Sequence, residues 1–395
     1  MQLPVLRLKK NEERRLRAGH LWVYSNEIDT KETPLKNFTP GQEVRIEAAD
    51  KTPLGNAYIN PHSLICARLY SRKSTDRLNE AFFLEKIKTA QALRDTLYSK
   101  PYYRLLFGES DNVPGLVVDR FGDTLVVQMN TAGMDLKATA IVSALCEAIP
   151  STQAILLRND SSARTQEKLI CEVKAAYGTP ADTIFLEENN SVFQAPLWEG
   201  QKTGWFYDHR LNRSRLQNYV MGQRVLDVFS YLGAWGIQAA NFGAQEVTCI
   251  DSSSLAASMI QNNAQLNKVA EKVNIICDDA FEALKKLQNQ ASFDVIILDP
   301  PAFAKKQKDI KEGTLAYQRI NELALKLLKP GGILISCSCS MHINTNDFLQ
   351  IIRRASLRAH SDMQILERGH QAPDHPVHIA IPETDYLKMV VGRKI

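Results

Sequence analysis

Residues 223–251 read QRVLDVFSYLGAWGIQAANFGAQEVTCID. An apolar run at 225–229 leads into a turn with Gly233 and Gly236, a helix of small residues follows, and a second apolar run ends on Asp251. This pattern is typical of a β-α-β unit. Its glycines let the backbone approach a ligand, its helix N-terminus presents free N–H groups, and a carboxylate about 20 residues further on can accept two ribose hydroxyls. The stretch therefore predicts a nucleoside-bearing cofactor.

The glycine count and one acidic residue indicate which nucleoside this is. The loop of a dehydrogenase uses three closely spaced glycines to seat a pyrophosphate. This loop has only Gly233 and Gly236, and Asp227 lies inside the preceding strand. An acid at that position repels phosphate and attracts the ammonium group of an amino-acid moiety. We therefore expect S-adenosylmethionine rather than NAD.

The composition is that of an ordinary globular protein. At 395 residues the chain is too long for one typical domain, so two or three are expected. The seven cysteines are scattered and odd in number, which argues against a disulfide framework. Because no long apolar segment and no apolar leader is present, we expect a cytoplasmic protein that does not contact a membrane.

The basic excess is concentrated in the N-terminal segment. Residues 1–73 hold 13 Lys and Arg against 8 Asp and Glu, and the rest of the chain is close to neutral. A short helix at 11–18 and strands at 43–47, 54–58 and 64–70 predict a small β-rich module. Its charge is compatible with RNA, although a solvated charged face is the alternative. The candidate phosphate contacts are Arg14, Arg15, Arg17, Arg68, Arg72 and Lys73.

The middle of the chain predicts an α+β segment without a catalytic constellation. Its predicted elements are a helix over 77–97, a hairpin over 115–129 with its turn at 119–123, a helix over 136–148, a strand over 154–158 and a connector with a short hairpin over 178–200. We divide the chain into a β-rich domain at 1–73, a central domain at 74–190 and a third domain at 191–395.

From residue 223 onward, predicted strands alternate with helices such as 254–267 and 316–328. This alternation indicates an α/β fold with a doubly wound parallel sheet covered on both faces. The strands are predicted over 225–229, 246–251, 273–277, 293–299, 332–337 and 387–392. Ligands of such sheets bind outside the carboxyl ends of the strands. Chemistry is therefore expected where the strands end.

Two of these strand ends carry carboxylates. Asp278 and Asp279 follow the third strand, where Asp279 can cap the next helix or accept a hydrogen bond from an adenine amino group. The motif LDPPAF at 298–303 places Asp299 at a strand tip, followed by two prolines that have fixed φ angles and no N–H groups. Such a rigid, acceptor-rich rim can hold the edge of a flipped-out nucleobase, although a simple strand stop is the alternative.

The motif KPGGILISCSCS at 329–340 ends a strand with two cysteines. Period-two geometry puts Cys337 and Cys339 on the same side, but only Cys339 lies past the tip, where it can face a pocket. The sulfur can be a buried small side chain, a nucleophile or a ligand in a metal site with His342. Because further metal ligands are missing nearby, we expect no metal.

Motifs along nearly the whole chain resemble those of the RlmI family, S-adenosylmethionine-dependent bacterial 23S rRNA cytosine-C5 methyltransferases. RLRAGHLWVYSNEI at 15–28 resembles the start of that family's RNA-binding PUA domain, and 104–128 resembles its central domain. The segments that resemble its catalytic domain are KTGWFYDHRLNR, FSYLGAWG, LDPPAFA, SCSCS, QAPDHP and PETDYLK. The resemblance implies a class I methyltransferase sheet of the Rossmann-like type.

The resemblance also implies residue roles. It makes Cys339 the nucleophile that attacks the cytosine ring, with Asp299 holding the base. The implied cofactor site consists of Asp227, Gly233, Asp251, Asp279 and Asp299, with Lys202 and Arg210 near the methionine carboxylate. The chain departs from the family pattern where it has YDHR in place of LDQR and FSYLGAW in place of FSYTGGF. The group that removes the carbon-5 proton is not assigned.

The implied activity is methylation of carbon 5 of a cytosine in 23S rRNA, with ribosomal RNA as partner. One alternative is a guanine N7 methyltransferase on the same fold, which needs no nucleophile. Another is a non-catalytic RNA-binding assembly factor with a vestigial cofactor pocket. The sequence leaves open whether the protein forms a homodimer.

Overall fold

The computed structural model describes residues 2–288 and 292–395 and divides the chain into two compact units. The first unit comprises the chain up to Ile184 together with Pro196–Tyr207 and Pro373–Thr384. The second unit comprises Phe185–Ala195, Asp208–Ala372 and Asp385–Ile395. Each unit is therefore assembled from segments that lie far apart in the sequence.

The N-terminal part of the first unit is a five-stranded sheet. Its elements are β1 (Val5–Arg7), α1 (Arg14–Arg17), β2 (Trp22–Tyr24), β3 (Gln42–Glu47), β4 (Pro53–Ile59) and β5 (Ile65–Ser71), with the strand order β1-β3-β4-β5-β2. The three longer strands lie where apolar alternation predicts them, but the predicted helix at 11–18 is reduced to the single turn of α1. Val23, Val44 and Ile46 are fully buried in this core, and Ile381 from the far end of the chain completes it.

A second sheet completes the first unit. Its elements are α2 (Glu80–Leu97), β6 (Tyr102–Phe107), β7 (Leu116–Phe121), β8 (Thr124–Met129), α3 (Ala132–Asp135), α4 (Ala138–Ala148), β9 (Ala154–Asn159), α5 (Ser162–Gln166) and β10 (Glu172–Gly178), with the strand order β10-β9-β8-β7-β6. The predicted hairpin is confirmed with a shorter turn. Leu93 and Leu97 have the helical spacing of the apolar residues of α2, but both are exposed. Arg94 is buried instead, because its guanidinium makes two bonds to Asp111.

The second unit is built on a seven-stranded sheet. The chain enters it through β11 (Thr183–Glu188) and β12 (Ser191–Pro196), which form a hairpin. The remaining elements are α6 (Arg210–Ser214), β13 (Arg224–Val228), α7 (Ala234–Asn241), β14 (Glu246–Asp251), α8 (Ser254–Leu266), β15 (Val273–Cys277), α9 (Ala280–Leu287), β16 (Phe293–Leu298), α10 (Ile310–Leu327), β17 (Leu328–Ser338), α11 (Thr345–Arg358), β18 (Met363–Gly369) and β19 (Lys388–Lys394).

The order of this sheet is β15-β14-β13-β16-β17-β19-β18. The first five strands of that order are parallel, but β19 runs antiparallel to both β17 and β18. The expectation of a wholly parallel sheet is therefore wrong at this edge, and β18 was not predicted. The order reverses between β13 and β16, which is the switch point where ligands of such Rossmann-like sheets bind.

Two asparagines of α8 pair with the backbone of β12. The Asn263 side chain accepts from Gln194 N at 2.8 Å and donates to Gln194 O at 3.3 Å. The Asn267 side chain likewise accepts from Val192 N at 3.0 Å and donates to Val192 O at 2.6 Å. Asn263 also donates to Leu232 O at 2.9 Å, in the loop after β13. These amides therefore tie α8 to the backbone of β12.

Candidate active site

The loop that follows β13 is held in an unusual conformation. Phe229, Tyr231 and Gly233 all have positive φ angles, of 66°, 51° and 80°. Such angles are costly for aromatic residues and persist only where neighbouring groups fix them. The Asp251 carboxylate does this, because one oxygen accepts from Tyr231 N at 2.8 Å while the other accepts from Ser253 N at 3.0 Å. Asp251 thus lies against the loop, as the β-α-β pattern predicts.

Asp227 is buried directly behind this loop. Its Oδ2 accepts from Gly236 N at 2.9 Å, whereas its Oδ1 is buried without a hydrogen-bond partner among the described residues. Burial raises the pKa of Asp227 to about 7, and the nearby Asp299 and Asp251 carboxylates act in the same direction. A buried acceptor of this kind fits a cationic donor. The residues therefore suit the ammonium of an amino-acid moiety better than a phosphate.

Gly236 serves packing rather than ligand approach. It lies in the first turn of α7, and a Cβ atom there would come within 2.5 Å of Cys249 Sγ and 3.1 Å of Asp227 Oδ2. The glycine lets the helix approach β14 closely and lets its N–H group reach Asp227. Of the two glycines in the predicted loop, only Gly233 has the left-handed conformation of a tight turn.

Asp279 occupies the N-cap of α9. Its Oδ1 accepts from Phe281 N at 2.9 Å and from Glu282 N at 3.1 Å, so the capping alternative is confirmed. The side chain is exposed at the end of β15, and these two bonds use only one of its oxygens. Its neighbour Asp278 forms an ion pair with Lys286 at 2.6 Å.

Two nitrogen donors hold the Asp299 carboxylate at the end of β16. His209 Nε2 lies 3.1 Å from Oδ1, and Trp235 Nε1 donates to Oδ2 at 2.9 Å. Burial alone would raise the pKa of Asp299. The His209 ring and the two hydrogen bonds outweigh burial and lower the pKa below its usual range. Asp299 is therefore an ionised, fixed acceptor at neutral pH.

The two cysteines of the SCSCS motif lie in different environments. Cys337 is fully buried within β17, and its sulfur, His209 and Asp299 offer ligand atoms within 4.8 Å of one another. Burial raises the pKa of Cys337 well above its ordinary value, so this thiol stays protonated. Cys339 lies past the strand end, is partly exposed, and has its Sγ 3.9 Å from the carbonyl oxygen of Pro300. The sulfur thus adjoins the residue that follows Asp299.

Arg210 and Lys202 lie in different units. Arg210 is buried in the second unit, with its Nε 3.7 Å from Glu188, a carboxylate that also binds Arg213. Lys202 belongs to the first unit, where its ammonium lies over the Phe206 ring at 4.7 Å. The structure thus shows Arg210 as part of a buried ion-pair cluster.

The predicted phosphate contacts also divide by exposure. Arg14, Arg17 and Lys73 are exposed, whereas Arg15 is half-buried and pairs with Glu27 at 2.8 Å. Arg72 is exposed, and its guanidinium donates to Leu16 O at 2.8 Å, which joins β5 to α1. These residues belong to one module of the first unit.

Arg68 is the least exposed of the predicted phosphate contacts. Its side chain is 13% exposed and forms ion pairs with Glu167 at 2.9 Å and Glu109 at 3.9 Å. The guanidinium is therefore committed to two carboxylates. It lines a cavity of about 600 Å³ in the first unit, whose ionisable walls include both of these acids.

His375 of the QAPDHP motif supports the fold of the first unit. Its Nδ1 lies 3.0 Å from Asp374 Oδ1, and its ring packs on Phe107 with centroids 5.1 Å apart. Asp374 in turn accepts from Arg104 N at 2.9 Å and, through its carbonyl, from Arg94 at 3.0 Å. The motif therefore anchors the returning chain to the second sheet of this unit.

Sequence reasoning missed three residues near the catalytic candidates. They are His209 and Trp235, which hold Asp299, and Lys388, whose ammonium donates to Ser340 O at 2.7 Å. The departures from the family pattern at YDHR and FSYLGAW contain His209 and Trp235, and they were the available signal. None of the helices in the described part of the chain has the length and apolar character needed to cross a membrane.

Comparisons with known proteins agree with this arrangement. A profile of S-adenosylmethionine-dependent methyltransferases matches residues 142–386, and a PUA-like domain profile matches residues 6–72. The chain is 36% identical over 387 residues to ribosomal RNA large subunit methyltransferase I of Cronobacter sakazakii, which covers 96% of this chain and 97% of the relative. It is 35% identical over 396 residues to the protein of the same name from Shewanella frigidimarina, covering 98% of each.

A solved structure shows the same fold. A protein from Streptococcus mutans, described as a candidate S-adenosylmethionine-dependent methyltransferase, superposes with a TM-score of 0.84 at 21% identity, covering 99% of this chain and 100% of that chain. The expectation of S-adenosylmethionine as the cofactor is thereby confirmed, and the orphaned Asp227 oxygen fits it. By sequence identity over almost its entire length, the chain belongs to the ribosomal RNA large subunit methyltransferase I family.

Proposed function

We propose that this protein transfers a methyl group from S-adenosylmethionine to carbon 5 of a cytosine in 23S ribosomal RNA, through a covalent bond between Cys339 and carbon 6. The observation that carries the proposal is the position of Cys339. Its sulfur is partly exposed past the end of β17 and adjoins Pro300, the residue after Asp299. A thiol and a fixed carboxylate therefore meet at neighbouring strand ends.

The chemistry needs a nucleophile because carbon 5 of cytosine is itself a poor one. The Cys339 thiolate adds to carbon 6, and electron density moves to carbon 5. S-adenosylmethionine, when bound, supplies the methyl group as an electrophilic sulfonium. Loss of the carbon-5 proton then expels the Cys339 thiolate and restores the ring. Asp299 accepts hydrogen bonds from the amino group and the protonated ring nitrogen of the adduct, which stabilises it.

We also propose the residues that hold the cofactor. Asp227 and Asp251 suit the ammonium and the ribose hydroxyls, and the second oxygen of Asp279 suits the adenine amino group. Gly233 provides the turn of the loop, and Asp299 is the remaining proposed residue of the cofactor site. Arg210 and Lys202 remain proposed partners of the methionine carboxylate. Support comes from the shared fold and from the orphaned acceptor on Asp227.

The proposed RNA surface lies in the N-terminal module. It consists of Arg14, Arg15, Arg17, Arg68, Arg72 and Lys73. Arg15 and Arg68 also form ion pairs with carboxylates of the first unit. The match to a PUA-like profile over residues 6–72 supports this location. These side chains would contact phosphates and would carry no sequence information of their own.

The test of the nucleophile uses RNA that contains 5-fluorocytosine. After methylation, this base has no carbon-5 proton to lose, so the Cys339 bond to carbon 6 is trapped and a protein–RNA adduct persists on a denaturing gel. We expect the adduct with the wild-type chain and none with Cys339→Ala, which should still bind S-adenosylmethionine. The control Cys277→Ala removes an exposed thiol and should leave the adduct intact. Wild-type turnover by Cys339→Ala would overturn the assignment.

The remaining alternatives give different outcomes in two further measurements. Bisulfite sequencing of ribosomal RNA from a deletion strain shows a newly converted cytosine if carbon 5 is the target. A guanine N7 enzyme leaves that pattern unchanged. Calorimetric titration with S-adenosylmethionine shows no binding if the protein is a non-catalytic assembly factor.

A further inference from the structure

Lys388 is a buried cation at the start of β19. Its side chain is only 6% exposed, and its Nζ donates to Ser340 O at 2.7 Å and to Tyr386 O at 2.8 Å. Within the described part of the chain, no carboxylate lies within ion-pair distance of this ammonium. Burying an ammonium against neutral carbonyls is unfavourable unless a negative charge compensates it. The position therefore calls for an anion.

The backbone places Lys388 beside Cys339. In the β17–β19 ladder, Lys388 pairs with Ser338, the residue before Cys339, while its ammonium binds the carbonyl of Ser340, the residue after it. The side chain thus spans the backbone around Cys339. Burial lowers the pKa of Lys388 to about 8, and the charges of Cys339 and Asp385 act in the opposite direction.

Two further ionisable groups near this sulfur, Tyr317 and Cys337, are neutral at pH 7. Tyr317 OH lies 2.9 Å from Ser340 Oγ, and burial together with Cys339 raises its pKa to about 12, so it is neutral at pH 7. Cys337 is likewise protonated, and the charge of Asp299 contributes to this. Asp299 is negative. Lys388 is a cation that interacts electrostatically with Cys339 and can stabilise a thiolate there.

We propose that Lys388 is a positioning residue whose ammonium stabilises the Cys339 thiolate. The proposal rests on the proposed function, because it assumes that the thiolate is the reactive form. The proton of the thiol passes to solvent, the sulfur keeps the electron pair, and the ammonium remains charged beside it. No oxidant or further reactant is needed.

Lys394 provides a matched control on the same strand. Its Nζ also donates to two backbone carbonyls, Leu325 O and Leu328 O, each at 2.8 Å, and burial also lowers its pKa. It lies at the opposite end of β19 from Lys388. A role as a simple tether between β19 and its neighbours is common to both lysines. Only Lys388 lies beside a cysteine.

The experiment measures the reactivity of Cys339 toward iodoacetamide in the full-length protein. Alkylation is followed from about pH 6 to about pH 10, around the ordinary thiol pKa, and peptide mass spectrometry reads Cys339 separately from the buried Cys337. We expect Lys388→Met to move the midpoint for Cys339 upward by about one pH unit or more. Lys394→Met should leave the midpoint unchanged. Superposition of the Lys388→Met and wild-type profiles would overturn the proposal.

A second variant separates charge from folding. Lys388→Arg keeps the positive charge, so its midpoint should stay close to that of the wild type, and an Arg variant that behaves like Lys388→Met would contradict a charge effect. If Lys388→Met fails to melt cooperatively, Lys388→Gln replaces it. Methylation by Lys388→Met should recover as pH rises, and a loss that is independent of pH would indicate a tether instead.

The outcome is distinguishable from failure of the proposed function. If Cys339→Ala still methylates RNA, the nucleophile assignment falls. The alkylation profiles would then still report whether Lys388 stabilises the thiolate, because they do not depend on RNA or on turnover.

Discussion

The Asp299 carboxylate is fixed by two donors that both come from departures from the family pattern. His209 stands in YDHR and Trp235 in FSYLGAW, and each binds a different oxygen of Asp299. A glutamine and a phenylalanine at these places, as in LDQR and FSYTGGF, would offer an amide and no donor, respectively. This chain therefore holds the same carboxylate with two ring N–H groups.

Trp235→Phe should weaken this arrangement. Removing the indole N–H costs a bond to a charged group, about 2 kcal/mol of the free energy of unfolding at pH 7. Because the folded-state pKa of Asp299 lies below its usual range, this difference should be present at neutral pH. It should disappear as the pH falls and the carboxylate is protonated. Urea titrations of both proteins at several pH values measure it.

The control for this change is Trp22→Phe. Trp22 Nε1 also donates to a carboxylate, Glu109, at 2.9 Å, so the stability loss should be similar. Only Trp235→Phe should shift the acid limb of the methylation rate to higher pH, because only Asp299 lies at the site. An unshifted limb would show that the indole bond does not tune Asp299.

Asp227 should make the cofactor-free protein less stable as pH rises. Its folded-state pKa of about 7 lies above the ordinary aspartate value of 3.8, so the folded state binds the proton more tightly between those pH values. The stabilisation is complete below pH 4 and is lost through pH 7, by at most on the order of 4 kcal/mol. Thermal melts of the wild type and of Asp227→Asn at pH 5 and pH 8 measure how the stability difference between the two proteins changes with pH. A stability difference that does not change with pH would contradict the prediction.

Single residues were predictable where a strand end places them. Asp251, Asp299 and Cys339 follow from strand patterns alone, because the carboxyl ends of parallel strands meet at one edge. His209 lies in a segment with no strand-end signal, and Lys388 lies at the start of β19, which was expected to run parallel to β17 but runs antiparallel. Periodicity reports only neighbours along one element, so it could not find them.

At the scale of elements, α8 completes the edge of the β11–β12 hairpin. Asn263 and Asn267 are one helical turn apart, and their amides match alternate residues of β12. Residues four apart in sequence on the helix side thus reach residues two apart on the strand. Asn263 also fixes Leu232 O in the loop beside the proposed cofactor site.

Asn263→Ala should therefore affect both stability and cofactor binding. It removes the side-chain hydrogen bonds to Gln194 N, Gln194 O and Leu232 O, at a cost of about 3 kcal/mol, and it loosens the loop at Leu232. Denaturant unfolding and calorimetric titration with S-adenosylmethionine measure the two effects. Asn262→Ala, on the exposed face of the same helix, should change neither. If Asn263→Ala and Asn262→Ala had the same stability and the same affinity for S-adenosylmethionine, the proposed role of the Asn263 side chain would be contradicted.

Element boundaries follow the sequence closely where strands are buried on both faces. β14 matches its predicted range, and its four central residues are buried. The edge strand β15 also matches its predicted range, although only Val273 is buried in it. β18 was missed because most of its side chains are exposed at the sheet edge, which leaves no apolar alternation to read. The segment 329–331, which precedes the predicted strand at 332–337, lies within β17, where Gly331 takes a positive φ of 78° and the pairing with β16 shifts register.

At the scale of the whole molecule, the charge is asymmetric. The basic excess lies in residues 1–73, and the rest of the chain is close to neutral. Binding of RNA by such a module depends on salt, because each neutralised phosphate releases counterions. The proposed surface can therefore be tested by salt dependence rather than by affinity at one condition.

The variant Arg14→Ala/Arg17→Ala/Lys73→Ala should bind ribosomal RNA more weakly and with a shallower salt slope. Each lost phosphate contact should reduce the slope of log K against log salt by about 0.7 to 0.9. The control Arg353→Ala/Arg354→Ala removes two exposed cations of α11 and should leave the slope unchanged. Filter binding over a salt series measures both. An unaltered slope in the triple variant would exclude this surface.

The domain division at 1–73, 74–190 and 191–395 remains a proposal based on changes of pattern along the chain. Pattern changes locate the ends of modules but not the places where the chain returns. The structure assigns Pro373–Thr384 to the first unit, although the segments on either side belong to the second. The spacing of apolar and polar residues along the chain does not show that a later segment packs with an earlier module.

Ile381 gives this return a consequence for biosynthesis. It is fully buried in the core of the N-terminal sheet, yet it lies more than 300 residues after the last strand of that sheet. Translation therefore delivers the first module long before its last core side chain. A product that stops before Ile381 would leave an apolar gap in the core of the N-terminal sheet. Chaperones and proteases could then recognise that module until Ile381 is synthesised and fills the gap.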